Sequence, residues 1–339
     1  MAFPVTVLLP VYNADATLDL ALQSLCRQRF EAFEVVAVDD GSEDGTADIL
    51  KRYAAQDRRV RPIFARRRGL VAALNTSLAH AEGRLVARMD ADDVSHPLRL
   101  GLQQSYLHEH PDVSVVGSLI RFFPWPRVGD GFRIYQSWLN GIVDPPDIAR
   151  EIFIESPLAH PSVMMRRSDL EAIGGYRDFG WPEDYDLWLR LHLADRRLAK
   201  VPRLLFYWRE GPSRLTRRDG RYSVENFIRA KAHYLRLGPL RTDPRAVVWG
   251  AGQIGRRLSK HLQRRGVDLI AFVDIDPRKI GSTRRGAPII SPDDLPDVHR
   301  SSGRPLILAA VPSRGARALI RTRLEALGLA EGREFLCVA

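Results

Sequence analysis

The sequence predicts an α/β protein: a doubly wound, mostly parallel sheet followed by a smaller α/β unit. Three observations predict it. Apolar, β-rich runs such as "VTVLLPVY" (5–12) and "FEVVAVDDGS" (33–42) show little alternation, which marks strands buried on both faces of a parallel sheet. Segments with apolar residues at helical spacing stand between such runs. Near residue 238 the composition changes, and the strand–helix rhythm then restarts.

The elements follow in order. After the first strand, Leu18, Ala21, Leu22 and Leu25 repeat at helical spacing, with Asn13 and Asp15 as candidate caps. The second strand ends in "DDGSEDGT", and Ala47, Ile49, Leu50 and Tyr53 mark the next helix. "VRPIFA" (60–65) is a third strand, "GLVAALNTSLAHA" (69–81) a helix, and "GRLVARMDADD" a fourth strand with an acidic end. Residues 121–150 show no clear period and predict an irregular insert over the site. "LGPLRTDPR" (237–245) has linker composition, so the expected division is 1–240 and 241–339.

Composition narrows the function. Hydrophobic residues make up 45% of the 339, enough for a sizeable core. The two cysteines, Cys26 and Cys337, fit neither a disulfide framework nor a metal spacing, which predicts a reducing, cytoplasmic setting. "MAFPVTVLLPVYN" reads as a strand rather than a leader, and no run approaches the roughly 20 apolar residues of a membrane span. The net charge of +10 favours anionic partners: a phosphorylated substrate, or the inner face of a membrane met peripherally. No zinc-finger spacing or RNA-binding aromatic motif accompanies it, so nucleic acid ranks below these.

The fourth strand poses the central question. Open α/β sheets bind ligands beyond the carboxyl ends of their strands. Asp39 and Asp40 end one strand, and Asp90, Asp92 and Asp93 follow another. Crowded carboxylates repel unless protonated or bridged by a cation. Mg²⁺ or Mn²⁺, with oxygen ligands shared between protein and phosphates, answers that repulsion. The competing reading is helix capping at "DDVSHPLRL", and Asp93 is assigned there.

"VTVLLPVYN", "VVAVDDGSEDGT", "GLVAALNTSLAHAEGRLVARMDADD", "HPSVMMRR" and "WPEDYDLWLRL" occur in this order. The set resembles the inverting family 2 glycosyltransferases over residues 3–215. That resemblance implies the GT-A fold, a nucleotide-diphosphate sugar donor (a UDP-sugar favoured) and a glycan or lipid-linked acceptor. It implies donor contacts from Pro10, Val11 and Tyr12, from Asp39 to the base with Asp40 beside it, and from Asp90 to the ribose or sugar. Asp92 would bind the metal on the diphosphate, with Asp90 near it; His160 would complete the shell or touch the diphosphate, or be an ordinary loop residue. Arg66 (or Arg67) in "ARRRG" would meet the donor or form a solvated turn. Asn75 fits a family position or an exposed helix site.

The resemblance places the catalytic base in the "ED" pair, at Asp184, with Glu183 supporting it. A carboxylate in reach of the acceptor hydroxyl removes its proton as the new bond forms. A purely structural reading also stands, since acid is stabilised at a helix start. Trp181 has two readings: a platform for an acceptor sugar, or a core residue. The membrane spans and Q-x-x-R-W motif of processive synthases are missing from the sequence, which favours transfer of one or a few sugars.

In the last hundred residues, "AVVWGAGQIGRRLSKHL" carries G-x-G-x-x-G at Gly250, Gly252 and Gly255. Asp274 ends the following strand, about 20 residues on, as a dinucleotide site requires. This predicts a compact Rossmann-like module that holds NAD(P) or another nucleotide, or serves as a scaffold. An NAD(P)-dependent sugar-modifying oxidoreductase is the rival function. It leaves the larger N-terminal part unexplained.

Overall fold

A computed structural model describes residues 3–211 and 214–339. The described residues fall into two compact units. One comprises Met1–Ala149, Pro157–Phe179 and Arg190–Arg218; the other comprises Arg150–Ser156, Gly180–Leu189 and Asp219–Ala339. The helix Val224–Leu237, upstream of the expected division at 240/241, therefore packs with the second unit.

The first unit is built on eight strands: β1 Val5–Val11, β2 Phe33–Asp39, β3 Val60–Phe64, β4 Leu85–Arg88, β5 Val94–Ser95, β6 Val113–Phe123, β7 Met164–Arg166 and β8 Arg197–Arg209. Their order is β3-β2-β1-β4-β7-β6-β8-β5. β3, β2, β1 and β4 run parallel, as do β6 and β8. The short β7 is antiparallel to both neighbours. The continuous apolar runs have the predicted cause. On one face Val5, Val7, Leu9, Val35 and Ala37 enter the main core with Leu18, Leu22 and Leu25 of the helix Leu18–Cys26. On the other, Val36 and Val38 pack with Ala73 of the helix Leu70–Ala79.

Three local expectations change. Asn13 and Asp15 do not cap the first helix; its N-cap is Thr17, and Asn13 Oδ1 accepts the Glu43 N–H at 2.9 Å. The helix expected right after Asp93 starts only at Arg99, because Val94–Ser95 pairs with β8. Asp93 is therefore no helix cap. Residues 121–150 are not irregular: β6 runs to Phe123, and the helix Asp130–Gly141 follows, burying Leu139 with Phe132, Tyr135 and Trp138 against the main core.

The second unit carries β9 Arg245–Trp249, β10 Asp268–Val273, β11 Thr283–Arg284, β12 Ala287–Ile290, β13 Leu306–Ala309 and β14 Phe335–Cys337, ordered β11-β12-β10-β9-β13-β14. All pairs are parallel except the β11–β12 hairpin. That hairpin turns at Arg285 and Gly286, both at positive φ. No helix among the described residues is long and apolar enough to cross a membrane.

Candidate active site

The carboxyl ends of the parallel strands β3, β2, β1 and β4 lie side by side in the first unit. At the end of β1, Pro10 and Val11 are buried while Tyr12 is 38% exposed. β2 ends in Asp39, whose Oδ1 accepts the Ser42 N–H (3.0 Å) and Oγ–H (2.5 Å). Its second oxygen makes no hydrogen bond among the described residues. Asp40 has a different task. Its two oxygens accept the Arg68 and Gly69 N–H groups, both at 2.8 Å, and fix the approach to the helix Leu70–Ala79. Beyond β3, the Arg67 guanidinium lies 3.4 Å from the Tyr12 ring centre, a cation–π arrangement. Arg66, the other candidate, is exposed and makes no such contact.

Past β4, Asp90, Asp92 and Asp93 each bring a carboxylate oxygen within 4.8 Å of the others. The turn is fixed from several sides. Arg88, buried, pairs with Asp90. Arg209 donates its N–H to Asp93 Oδ1 (2.7 Å) and its Nε–H to the Asp92 carbonyl (2.5 Å). Beneath, the fully buried Arg99 donates from Nη2 to the carbonyls of Arg88 (2.6 Å) and Val163 (3.2 Å). Burial and then the neighbouring Asp90 push the Asp92 carboxyl up to about 6. Burial and the other two aspartates push Asp93 well above the usual range. Asp93 Oδ2 is buried without a hydrogen-bond partner.

Three convergent carboxylates with an orphaned buried oxygen fit a hard divalent cation, which takes oxygen ligands and cancels that repulsion. His160 is not in this group. Its ring is buried, with Nε2 3.2 Å from the Tyr176 hydroxyl. Asn75 is also committed elsewhere: its amide donates to the Tyr176 carbonyl (2.9 Å) and accepts the Tyr176 N–H (3.0 Å).

The "ED" pair opens the helix Glu183–Leu193 and packs in the second unit. Glu183 is buried and accepts the Tyr222 hydroxyl at 2.8 Å. Asp184 is half-buried and accepts the Ser156 Oγ–H at 3.3 Å. Burial, and after it the charge of Glu183, push the Asp184 carboxyl up to about 7. A carboxylate tuned to that range is suited to taking a proton near neutral pH. Trp181 takes the core reading, not the platform: it is 5% exposed, and its Nε1–H donates to Asp186 at 2.9 Å.

Arg99, Arg209, Ser156 and Tyr222 were not legible as site residues. Arg99 reaches the Val163 carbonyl across 64 residues, and the others reach their partners across 28 to 116 residues of sequence.

The parallel-dominant sheet of the first unit is that of the GT-A glycosyltransferases. TarS of S. aureus, solved with UDP-GlcNAc, superposes with a TM-score of 0.58 at 20% identity, covering 78% of this chain and 72% of that one. The mannosyltransferase PcManGT of Pyrobaculum calidifontis, solved with GDP-Man and Mn²⁺, superposes at 0.52 and 20% identity, covering 98% and 82%. The chain itself belongs to glycosyl transferase family 2, whose profile matches residues 6–174. It is 34% identical over 229 residues to the putative glycosyltransferase EpsE of Bacillus subtilis, covering 66% of this chain and 79% of EpsE. It is 30% identical over 238 residues to the amylovoran biosynthesis glycosyltransferase AmsE of Erwinia amylovora, covering 68% and 84%.

Proposed function

We propose that this glycosyltransferase is inverting and metal-dependent. It moves a sugar from a nucleotide-diphosphate donor to a hydroxyl of a glycan or lipid-linked acceptor in polysaccharide or glycoconjugate assembly. The observation that carries the reading is the convergence of Asp90, Asp92 and Asp93 past β4. The names of EpsE and AmsE and the donors bound by TarS and PcManGT support it.

The donor's base is held at the β1–β2–β3 edge, where Asp39 keeps one oxygen for it and Tyr12 with Arg67 offers a flat face. Asp90, Asp92 and Asp93 would hold Mg²⁺ or Mn²⁺, which when bound stabilises negative charge on the leaving diphosphate. Arg88, Arg99 and Arg209 keep those carboxylates in place. Asp184 takes the acceptor hydroxyl's proton as that oxygen attacks the anomeric carbon. The bond to the diphosphate breaks on the opposite face, so the anomeric configuration inverts. The net charge of +10 favours a lipid-linked acceptor on an anionic membrane surface.

The test is a panel of sugar nucleotides with Mn²⁺, read by release of nucleoside diphosphate and by NMR of the product's anomeric proton. Turnover with inversion, lost in Asp92→Ala, is expected. Retention of configuration would sink the single-displacement mechanism, and full activity of Asp92→Ala would sink the metal site.

A further inference from the structure

The second unit holds a cavity that sugar transfer does not use. Its volume is about 480 Å³, within the range of small-molecule sites. It opens past the carboxyl ends of β9, β10 and β13, where Trp249, Val273 and Ala310 line it. Ile254, Val311 and Ile320 make its walls apolar. Two further lining residues, Ile275 and Leu319, are 78% and 74% exposed, unusually open for large aliphatic side chains.

One side of the cavity is polar through its main chain. Gly252, Gln253 and Ile254, at the start of the helix Gln253–Gln263, line it. No side chain caps this helix, so the N–H groups of its first turn and the positive end of its dipole are left for a ligand.

The three motif glycines have different reasons. A Cβ on Gly250 would lie 2.8 Å from Val311 Cγ2, and its φ is +116°. A Cβ on Gly255 would lie 1.8 Å from the Gly250 carbonyl oxygen. Those two are dictated by the protein's own packing. Gly252 is not: its φ of −76° suits any residue, and no atom lies within 4 Å of where its Cβ would be. The space left by its missing side chain adjoins the cavity, where a ligand can approach the backbone closely.

The side chains set the charge. Asp274, the acid that follows β10 about 20 residues after the glycine motif, is mostly committed: it accepts the Ala251 and Asp276 N–H groups at 3.0 Å and the Lys279 ammonium at 3.1 Å. Asp274 and Lys279 are the titratable residues of the lining, and they pair with each other. The cavity thus presents N–H groups to an anion with no unpaired acid to repel it. No thiol, histidine or second carboxylate lines it to carry out chemistry.

We propose that this cavity binds a ligand bearing a nucleoside diphosphate, and binds it without reacting. The diphosphate meets the N–H groups from Gly252 to Ile254; the base lies against the apolar wall and is covered by Ile275 and Leu319. Inorganic pyrophosphate would satisfy the first contact and leave the second bare.

The proposal is independent of the transfer reaction, and the experiment separates them. The full-length Asp92→Ala protein is titrated calorimetrically in chelator with UDP, UDP-GlcNAc, NAD⁺ and pyrophosphate. A site built on N–H groups needs no cation, whereas the aspartate cluster does. Saturable binding of at least one nucleotide, roughly tenfold tighter than pyrophosphate, is expected. The ranking of the three assigns a free diphosphate, a sugar nucleotide or a dinucleotide. Adding Gly252→Val should abolish binding with the thermal midpoint preserved, since the valine meets no protein atom at its Cβ. Adding Leu319→Glu, at an exposed position, should weaken binding and decides the matter if Gly252→Val fails to fold. Absence of saturation by all three nucleotides at millimolar concentration, or unchanged affinity in Leu319→Glu, overturns the proposal.

Discussion

Two groups of carboxylates in this chain share one symptom and have different remedies. Past β4, Asp92 is pushed above the ordinary carboxylate range by burial and by Asp90, and Asp93 by burial and by Asp92 and Asp90. At the start of the helix Glu183–Leu193, Asp184 is pushed up by burial and by Glu183. The difference lies in where the oxygens point. One oxygen from each of three carboxylates converges within 4.8 Å in the first group, where Asp93 Oδ2 is also buried without a hydrogen-bond partner. In the second, hydroxyls from Ser156 and Tyr222 meet the two acids separately. Convergence calls for a cation, whereas separation leaves a single carboxylate free to exchange a proton. A raised carboxylate pKa alone therefore does not say what a site does; the geometry of its remaining lone pairs does.

The sharpest way to break this comparison is to change each group and read both functions. Asp184→Asn keeps the shape and removes the proton acceptor. Turnover should fall by about 10³-fold, the middle of the range for a general base. Stabilisation of the protein by Mn²⁺, read as a thermal shift, should stay at the wild-type value. A large loss of the Mn²⁺ shift in Asp184→Asn would mean that the second group is also a metal site.

Asp92→Asn should do the reverse at the first group. A ligand bound only to the native state stabilises it by about 2.7 kcal/mol at 100 times its dissociation constant, and this increment should vanish. In chelator the variant should melt about 2 °C higher than wild type, because one of three crowded acids is gone. A chelated variant that melts lower would show that the repulsion is already answered by the surrounding arginines.

The sequence made the sheet of each unit readable because burial on both faces of a strand leaves a continuous apolar run. Val35 to Val38 alternate between two cores, and no polar gap appears. Strands of two residues, such as Val94–Ser95 and Thr283–Arg284, leave no period to detect. The helix Asp130–Gly141 was hidden by glycines at both of its ends and by the prolines ahead of it. In the site, the carboxylates were legible because acid after an apolar strand is conspicuous. What holds them was not. Arg209 reaches Asp93 across 116 residues and Tyr222 reaches Glu183 across 39, contacts that only the folded chain creates. Motif position suggests His160 and Asn75, and in the fold each of them bonds Tyr176, a contact the sequence does not show.

The smallest expected effect tests the tuning of the base itself. If Asp184 works as a carboxylate with a pKa near 7, turnover must rise with pH through that value, since the protonated acid cannot accept the hydroxyl's proton. The raised pKa means that the active form is gained on going to higher pH and lost on going to lower. Ser156 opposes the shift, because its Oγ–H donates to the charged carboxylate and favours it. At 3.3 Å this is a weak hydrogen bond, so Ser156→Ala should move the acid limb of the pH–rate profile up by only about 0.3 unit. The plateau rate at high pH should change little, because the base is then fully ionised in both proteins. A lowered plateau with an unmoved limb would make Ser156 a residue that positions the acceptor, and the 28-residue link between Ser156 and Asp184 would then serve binding instead of proton transfer.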